Sequence, residues 1–215
     1  MSALAETVVG RTTVRRSVLA DAGLIVLGSA VVAALAQVSM RLPFTPVPVT
    51  GQTLGVLVVG ASLGATRGGA ALILYLLEGA MGLPVFAEAK GGIAYLTVAD
   101  PLHATGGYLW GFVAAASVVG LLADRRWDRG FGSALGQMMV GELIIFAVGI
   151  PWLAVALDVP IEAAGNSFND ALEFGLYPFV LGEIVKILLA AGLFPVFWRL
   201  LSRSRGEVVG RPASP

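Results

Sequence analysis

Residues 19–40, LADAGLIVLGSAVVAALAQVSM, decide the fold: one acidic residue, Asp21, interrupts twenty-two otherwise uncharged and mostly apolar positions. As a helix such a run extends about 33 Å, enough to cross a bilayer core of about 30 Å. Arg15 and Arg16 precede it, and Ala34-Leu35-Ala36 mimics the small-residue site of a cleavable signal peptide. The run is long for a signal core, which favours a retained membrane span.

The rest of the 215 residues repeats this pattern, with apolar segments expected at 54–65, 69–81, 106–123, 134–157 and 176–201. Hydrophobic residues make up 57% of the chain, charged residues only 13%, and the mean hydropathy is +0.85. A soluble domain needs a charged skin of roughly 25% of its residues, so this outer surface is expected to face lipid. Lys+Arg and Asp+Glu are equal at 14 each, leaving no basic field to draw nucleic acid. Cysteine is absent and histidine occurs once, which leaves no thiolate nucleophile, no disulfide and a poor donor set for metal.

Charge distribution fixes the expected topology, because basic loops stay cytoplasmic and each span changes sides. Six spans place Arg11, Arg15, Arg16, Arg67, Arg125, Arg126, Arg129, Arg199, Arg203, Arg205 and Arg211 inside, and only Arg41 and Lys90 outside. Five or seven spans put several arginines on the wrong side. The expected fold is therefore an all-α membrane protein with six transmembrane helices and both termini cytoplasmic. A cytoplasmic tail (1–18), a six-helix membrane domain (19–202) and a basic cytoplasmic tail (203–215) follow from it. Residues 43–50, PFTPVPVT, are expected to be extended or re-entrant, since alternate prolines remove amide donors and bias their predecessors away from helix. Thr66-Arg67-Gly68 is expected to be a tight connection between two short spans, the alternative being one long hydrophobic hairpin element, and 82–104 a lid-like outer loop.

Ionisable residues inside spans cost roughly 2.5–3.5 kcal/mol each on insertion scales, so each invites a functional reading. Glu183 and Lys186 are three apart, on one helix face. They form either a neutralised structural pair or a site that reads donor and acceptor groups of a ligand. Glu142, beside Gly141, is a candidate for either interhelical hydrogen bonding or ligand contact. Glu78, near a span end, is expected at the headgroups, and His103 in solvent. Lys90, followed by Gly91 and Gly92, could place a cation and closely approaching backbone over a cavity mouth. Phe86 and Tyr108 could wall an apolar pocket or serve as interfacial anchors. In the first span, Ala30 with Ala34, or Ser29 with Ala33, would let another helix approach closely.

The segment 43–50, the loop Gly82-Leu83-Pro84-Val85-Phe86 with Gly91-Gly92, the Thr105-Gly106-Gly107-Tyr108 entrance and Glu183-x-x-Lys186 together resemble the BioY family. Members of that family are biotin-binding S components of energy-coupling factor (ECF) transporters. The resemblance covers residues 20–200 and implies a multi-pass subunit of the bacterial plasma membrane, with no catalytic residue, cofactor or metal of its own. It implies biotin as ligand, a coupling transmembrane protein and two cytoplasmic ATPases as partners, and the lipid bilayer as surroundings. No Gly-x-x-x-x-Gly-Lys-Ser/Thr loop occurs in the chain, so ATP chemistry falls to partners.

In this reading Glu183 accepts from ureido N–H groups, and Lys186 donates to the ureido oxygen or keeps Glu183 ionised. Lys90 pairs with the carboxylate, Phe86 and Tyr108 wall the apolar part, and Ala30 and Ala34 form the docking face. The family often has Asp where this chain has Glu183, and its polar contact from span three finds only Glu78 as a counterpart. The competing class is an ion-coupled secondary transporter of a small carboxylate-bearing vitamin, with Glu142 and Glu183 as coupling sites.

Overall fold

The computed structural model describes the backbone of residues 14–162 and 170–209 and the side chains of 18–162 and 170–200. Arg11, and the side chains of Arg15, Arg16, Arg203, Arg205 and Arg211, lie outside the described residues, as does much of both expected tails. Helix α1 covers Val14–Gln37 and leads into a two-residue antiparallel pairing of β1 (Ser39–Met40) with β2 (Val49–Thr50). Helix α2 is Gln52–Ala80, and the loop after it carries a short 3₁₀ turn and α3 (Ala94–Thr97). Helices α4 (Gly106–Asp124) and α5 (Phe131–Leu157) flank the turn Trp127–Arg129. A short α6 (Ala171–Gly175) precedes α7 (Val180–Val209).

Among the described residues, five helices are long and apolar enough to cross a membrane, where the sequence predicts six spans. The difference lies in α2, which absorbs both short predicted spans as one hydrogen-bonded run. Gly64 breaks that run with φ 82° and ψ 177°, a conformation essentially reserved for glycine. The chain reverses there: a Cβ on Gly68 would sit 3.0 Å from Gly60 Cα, and Gln52 Nε2 donates to the Tyr75 hydroxyl at 2.7 Å. Residues 23 positions apart along a straight helix would stand about 35 Å apart. The two arms, residues 52–63 and 65–80, therefore lie side by side.

The reversal comes two residues before the predicted Thr66-Arg67-Gly68 connection. Arg67 stays helical instead and pairs with Asp21 of α1 at 2.9 Å. Asp124, at the end of α4, accepts from the Ala65 amide at 3.2 Å, and Gly120 packs so closely on Gly64 that a Cβ there would lie 2.3 Å from its carbonyl carbon. These contacts gather the α2 bend, the start of α1 and the turn holding Arg125, Arg126 and Arg129 at one end of the molecule. Asp128 of that turn is fully buried and accepts from Trp198 Nε1, while the Arg129 guanidinium lies 3.4 Å over the Trp198 ring, binding the turn to α7.

The core follows the same packing. Tyr75, Leu72, Phe112, Ile145 and Leu153 are buried between α2, α4 and α5, and Leu57, Val119, Met138 and Phe194 form a second cluster nearer the Arg129 turn. The outward faces stay apolar, with Leu181, Leu189, Leu193 and Val196 of α7 all exposed. That inversion of soluble design is what a lipid-facing surface requires. Residues 43–50 are non-helical as predicted.

Because Gly64 occupies a region closed to other residues, Gly64→Ala is expected to destabilise the protein by about 1–3 kcal/mol. A lower thermal midpoint in detergent, followed by loss of the monodisperse chromatographic peak, checks this. An unchanged midpoint would mean the reversal does not rest on that backbone conformation.

Candidate functional site

A cavity opens at the end of the bundle opposite the Arg129 turn. Its space, open mouth included, amounts to about 850 Å³, within the range of small-ligand pockets. The extended segment supplies Pro46, Val47, Pro48 and Thr50 to its wall, and α2 supplies Gln52 and Thr53. Phe86, Glu88, Lys90 and Tyr95 come from the outer loop, Tyr108 and Phe112 from α4, Ile145 and Phe146 from α5, and Phe179 and Glu183 from the start of α7.

The polar floor is built around Lys186. Its ammonium donates to Thr50 O at 2.7 Å, to Thr53 Oγ1 at 2.9 Å and to Glu183 Oε1 at 2.7 Å. An ammonium has three N–H groups, so all three are used. The Thr53 hydroxyl in turn donates to Glu183 Oε2 at 2.7 Å, closing a ring of charge-assisted bonds. Removing the pair from water is costly, and only such complete pairing offsets it. The spacing-based expectation that Glu183 and Lys186 meet on one face is met, but the partners completing the pair, Thr50 and Thr53, lie over 130 positions away and were missed. The signal available was two threonines flanking the exit of the proline-rich segment.

Glu183 lines the cavity at 5% exposure, whereas Lys186 stands behind it. Glu142, at 4% exposure, is also behind the lining and lies close to Glu183 and Lys186. Gly91 and Gly92 do not line the cavity. A Cβ on Gly91 would lie 2.3 Å from Leu83 O, and Gly92 has φ +125°, so the two shape the loop that carries Lys90.

Phe86 and Tyr108 are buried walls rather than interfacial anchors, at 3% and 8% exposure. The Phe86 ring packs against Gly79 and meets Tyr75 and Tyr95 edge-on at 5.5 and 5.8 Å. Tyr108 donates to Gly175 O at 3.0 Å, joining α4 to α6. His103, predicted to be solvated, instead continues the aromatic row 4.7 Å from Tyr95 and shares a 2.8 Å contact with Asp100. Gln37 ties the loop to α1 by donating to Phe86 O and accepting from Ala89 N, another contact too long-range for sequence patterns to disclose.

At the mouth, Lys90 Nζ lies 2.8 Å from Glu88 Oε2, and Glu88 is also held bidentately by Arg41. The Arg41 guanidinium chiefly, with help from Lys90, holds the Glu88 carboxyl at about 2, well below the usual carboxylate range. Glu78 differs from its predicted headgroup setting: it is half-buried and accepts from Ser29 Oγ of α1. Ser29 and Ala33 thus face the bundle, while Ala30 and Ala34, about 100° further round α1, are exposed. Among the described residues no cluster of three or more His, Cys, Asp or Glu is arranged to hold a metal.

Two outcomes follow. Thr53→Val leaves one Lys186 N–H and one Glu183 oxygen without their partner, and is expected to cost about 1–3 kcal/mol in detergent thermal unfolding; a neutral result would show the ring is not cooperative. Glu88 has a depressed folded-state pKa, so its pairing stabilises fully above about pH 4.5 and the contribution is lost as pH falls towards about 2. A comparison of wild type with Glu88→Gln across that window should show a small stability difference that shrinks on acidification, and one that grows would refute the assignment.

Similar proteins bear on this geometry. The BioY family model matches residues 8–203. A Rhizobium etli protein named biotin transporter BioY is 34% identical, covering 91% of this chain and 96% of its own length. A Thermotoga maritima protein of the same name is 36% identical over 71% of this chain and 81% of its own. Among solved structures, the S-component for biotin from an ECF-type ABC transporter superposes with a TM-score of 0.69 at 20% identity, over 88% of this chain and 95% of that one. The fold is shared with that S-component, and by the extent of its family match the chain belongs to the BioY family.

Proposed function

We propose that this chain is the biotin-binding membrane subunit of an uptake system, a carrier rather than an enzyme, energised by separate ATPase partners. The observation that carries the reading is the ring of Glu183, Lys186 and Thr53 at the floor of an apolar cavity with Lys90 at its mouth. Biotin has ureido donors and acceptor at one end, an apolar thiophane and chain between, and a carboxylate at the other. Relatives named biotin transporters, one of them matching nearly end to end, support the assignment.

Glu183, which lines the cavity, accepts from the ureido N–H groups. Lys186 already uses its three N–H groups, which favours its role of keeping Glu183 ionised over direct donation to the ureido oxygen. Lys90 pairs with the carboxylate, and Phe86 and Tyr108 wall the apolar part. The loop 82–104 closes over the ligand as a lid.

Counting the two arms of α2 separately gives six crossing segments, with both termini on the cytoplasmic side of a bacterial plasma membrane. The 52–63 arm measures only about 18 Å, and the extended 43–50 segment completes that crossing. Non-helical backbone is tolerated at such depth where it lines a cavity, as Pro46, Pro48 and Thr50 do. The gathering of Arg67, Arg125, Arg126 and Arg129 at the end opposite the cavity supports this orientation. The exposed Ala30 and Ala34 are the face on which an ECF coupling protein docks.

Equilibrium binding of labelled biotin to the detergent-purified chain tests the reading. Wild type is expected to bind saturably, and Glu183→Ala and Lys186→Ala to lose at least tenfold in affinity, the scale of a buried hydrogen-bonded charge left unpaired. Absence of saturable binding in folded wild type would reject biotin as the ligand. Uptake that persists without ATPases and follows a proton or sodium gradient would replace the subunit reading with an ion-coupled carrier using Glu142.

A further inference from the structure

We propose that Glu88, gripped by Arg41, meters the positive charge of Lys90 at the cavity mouth, leaving one unit of cation that selects a ligand bearing a single carboxylate over its neutral counterpart. The inference rests on the binding-subunit reading above and goes beyond it by assigning roles to Arg41 and Glu88.

Three charged groups meet at the lip. Arg41 engages both oxygens of Glu88 through Nε and Nη2, whereas Lys90 Nζ approaches Oε2 at 2.8 Å. Two cations face one carboxylate, so the cluster retains one positive charge. A bidentate guanidinium is the stronger partner, and Lys90 with a single contact keeps donors to spare. The arrangement also fixes where the excess charge is expressed. Lys90 and Glu88 line the cavity, while the Arg41 side chain is 70% exposed and does not. Arg41 thus shares Glu88 with Lys90 from outside, and the one positive charge left over borders the cavity through Lys90.

The backbone supports a built device. Glu88 and Ala89 both have left-handed φ, 61° and 55°, conformations that non-glycine residues adopt only under constraint. The constraint is visible: Ala89 N donates to Gln37 Oε1 at 3.0 Å, and Phe86 N donates to Lys90 O at 2.9 Å across the turn. Gln37 and Arg41 both belong to the exit of α1, so one segment imposes the turn and supplies the cation that holds its carboxylate.

The test is the ratio of affinities for biotin and for biotin amide, which lacks the charge, measured by equilibrium binding on wild type, Arg41→Gln and Glu88→Gln. Arg41→Gln returns Glu88 wholly to Lys90 and is expected to lower the biotin preference about two- to five-fold; Glu88→Gln frees Lys90 and is expected to raise it by a similar factor. Both substitutions break the same ion pair, so loosening of the loop would move both ratios in one direction. Opposite shifts support the proposal, and parallel or absent shifts overturn it. Amide affinity on each preparation reports an intact site. Wild type that binds neither probe would instead defeat the biotin reading itself, and this inference with it.

Discussion

Everything at the cavity end depends on how one buried ammonium is satisfied. Lys186 sits two turns into α7, where an unpaired charge would be intolerable, and its three bonds reach three chain positions: a backbone carbonyl in the extended segment, a hydroxyl at the start of α2 and a carboxylate one turn back. The bond to Thr50 O has a second consequence. It gives a partner to a carbonyl in a segment too proline-rich to form a helix, at a depth where water does not serve. Thr45 ties the segment to α6 in the other sense, its own hydroxyl donating to Phe174 O. The extended segment is therefore held in the bundle by a side chain reaching in from α7 and one of its own reaching out to α6, and Pro46, Val47, Pro48 and Thr50 of that segment form part of the cavity wall.

A second constraint operates at the other end. The left-handed bend at Gly64 lets α2 double back, and Asp124, Asp21 and Arg67 fasten it to α4 and α1. The two arms set Gln52 against Tyr75, whose hydroxyl donates to Val85 O, the first residue of the outer loop to enter the core. Phe86 follows it onto Gly79. A backbone conformation at one end of the molecule is thus linked, through the pairing of two helical arms, to the placement of the loop that carries Lys90 at the other.

The parts of this architecture legible in the sequence are those written locally. Apolar runs announce the long helices because lipid imposes one requirement on every position, and three closely spaced prolines, at 43, 46 and 48, exclude regular helix there, as the single Pro151 and Pro195 do not in theirs. The Glu183–Lys186 spacing specifies its own geometry. What stayed hidden depends on distant residues meeting: Thr53 beneath Lys186, Gln37 under the outer loop, Ser29 opposite Glu78. The reversal at Gly64 was misplaced to Thr66–Gly68 because the cue used was polarity, whereas the chain turns where backbone freedom is greatest and leaves Arg67 helical to meet Asp21. His103 is similar, since a lone histidine in a loop carries no sign of the Tyr95 ring it meets edge-on or of Trp152, whose indole N–H donates to its carbonyl.

Floor and lip use charge in opposite ways, and the difference follows from their surroundings. The floor is largely buried, and its ammonium is fully bonded and has nothing left to offer; on the proposed reading, discrimination there comes from the fixed direction in which Glu183 presents its acceptors. The lip borders water, where leaving a donor unpaired costs little because solvent can satisfy it. Lys90 can therefore keep bonding capacity in reserve, and if the loop closes as proposed, solvent leaving that group would strengthen whatever replaced it. A ligand with a carboxylate at one end and N–H donors at the other would meet a rigid acceptor and an adjustable cation in that order of depth. Exchanging the two would fail on both counts: an incompletely bonded lysine at the floor would carry an uncompensated charge, and a saturated one at the lip would have no hold on an arriving anion.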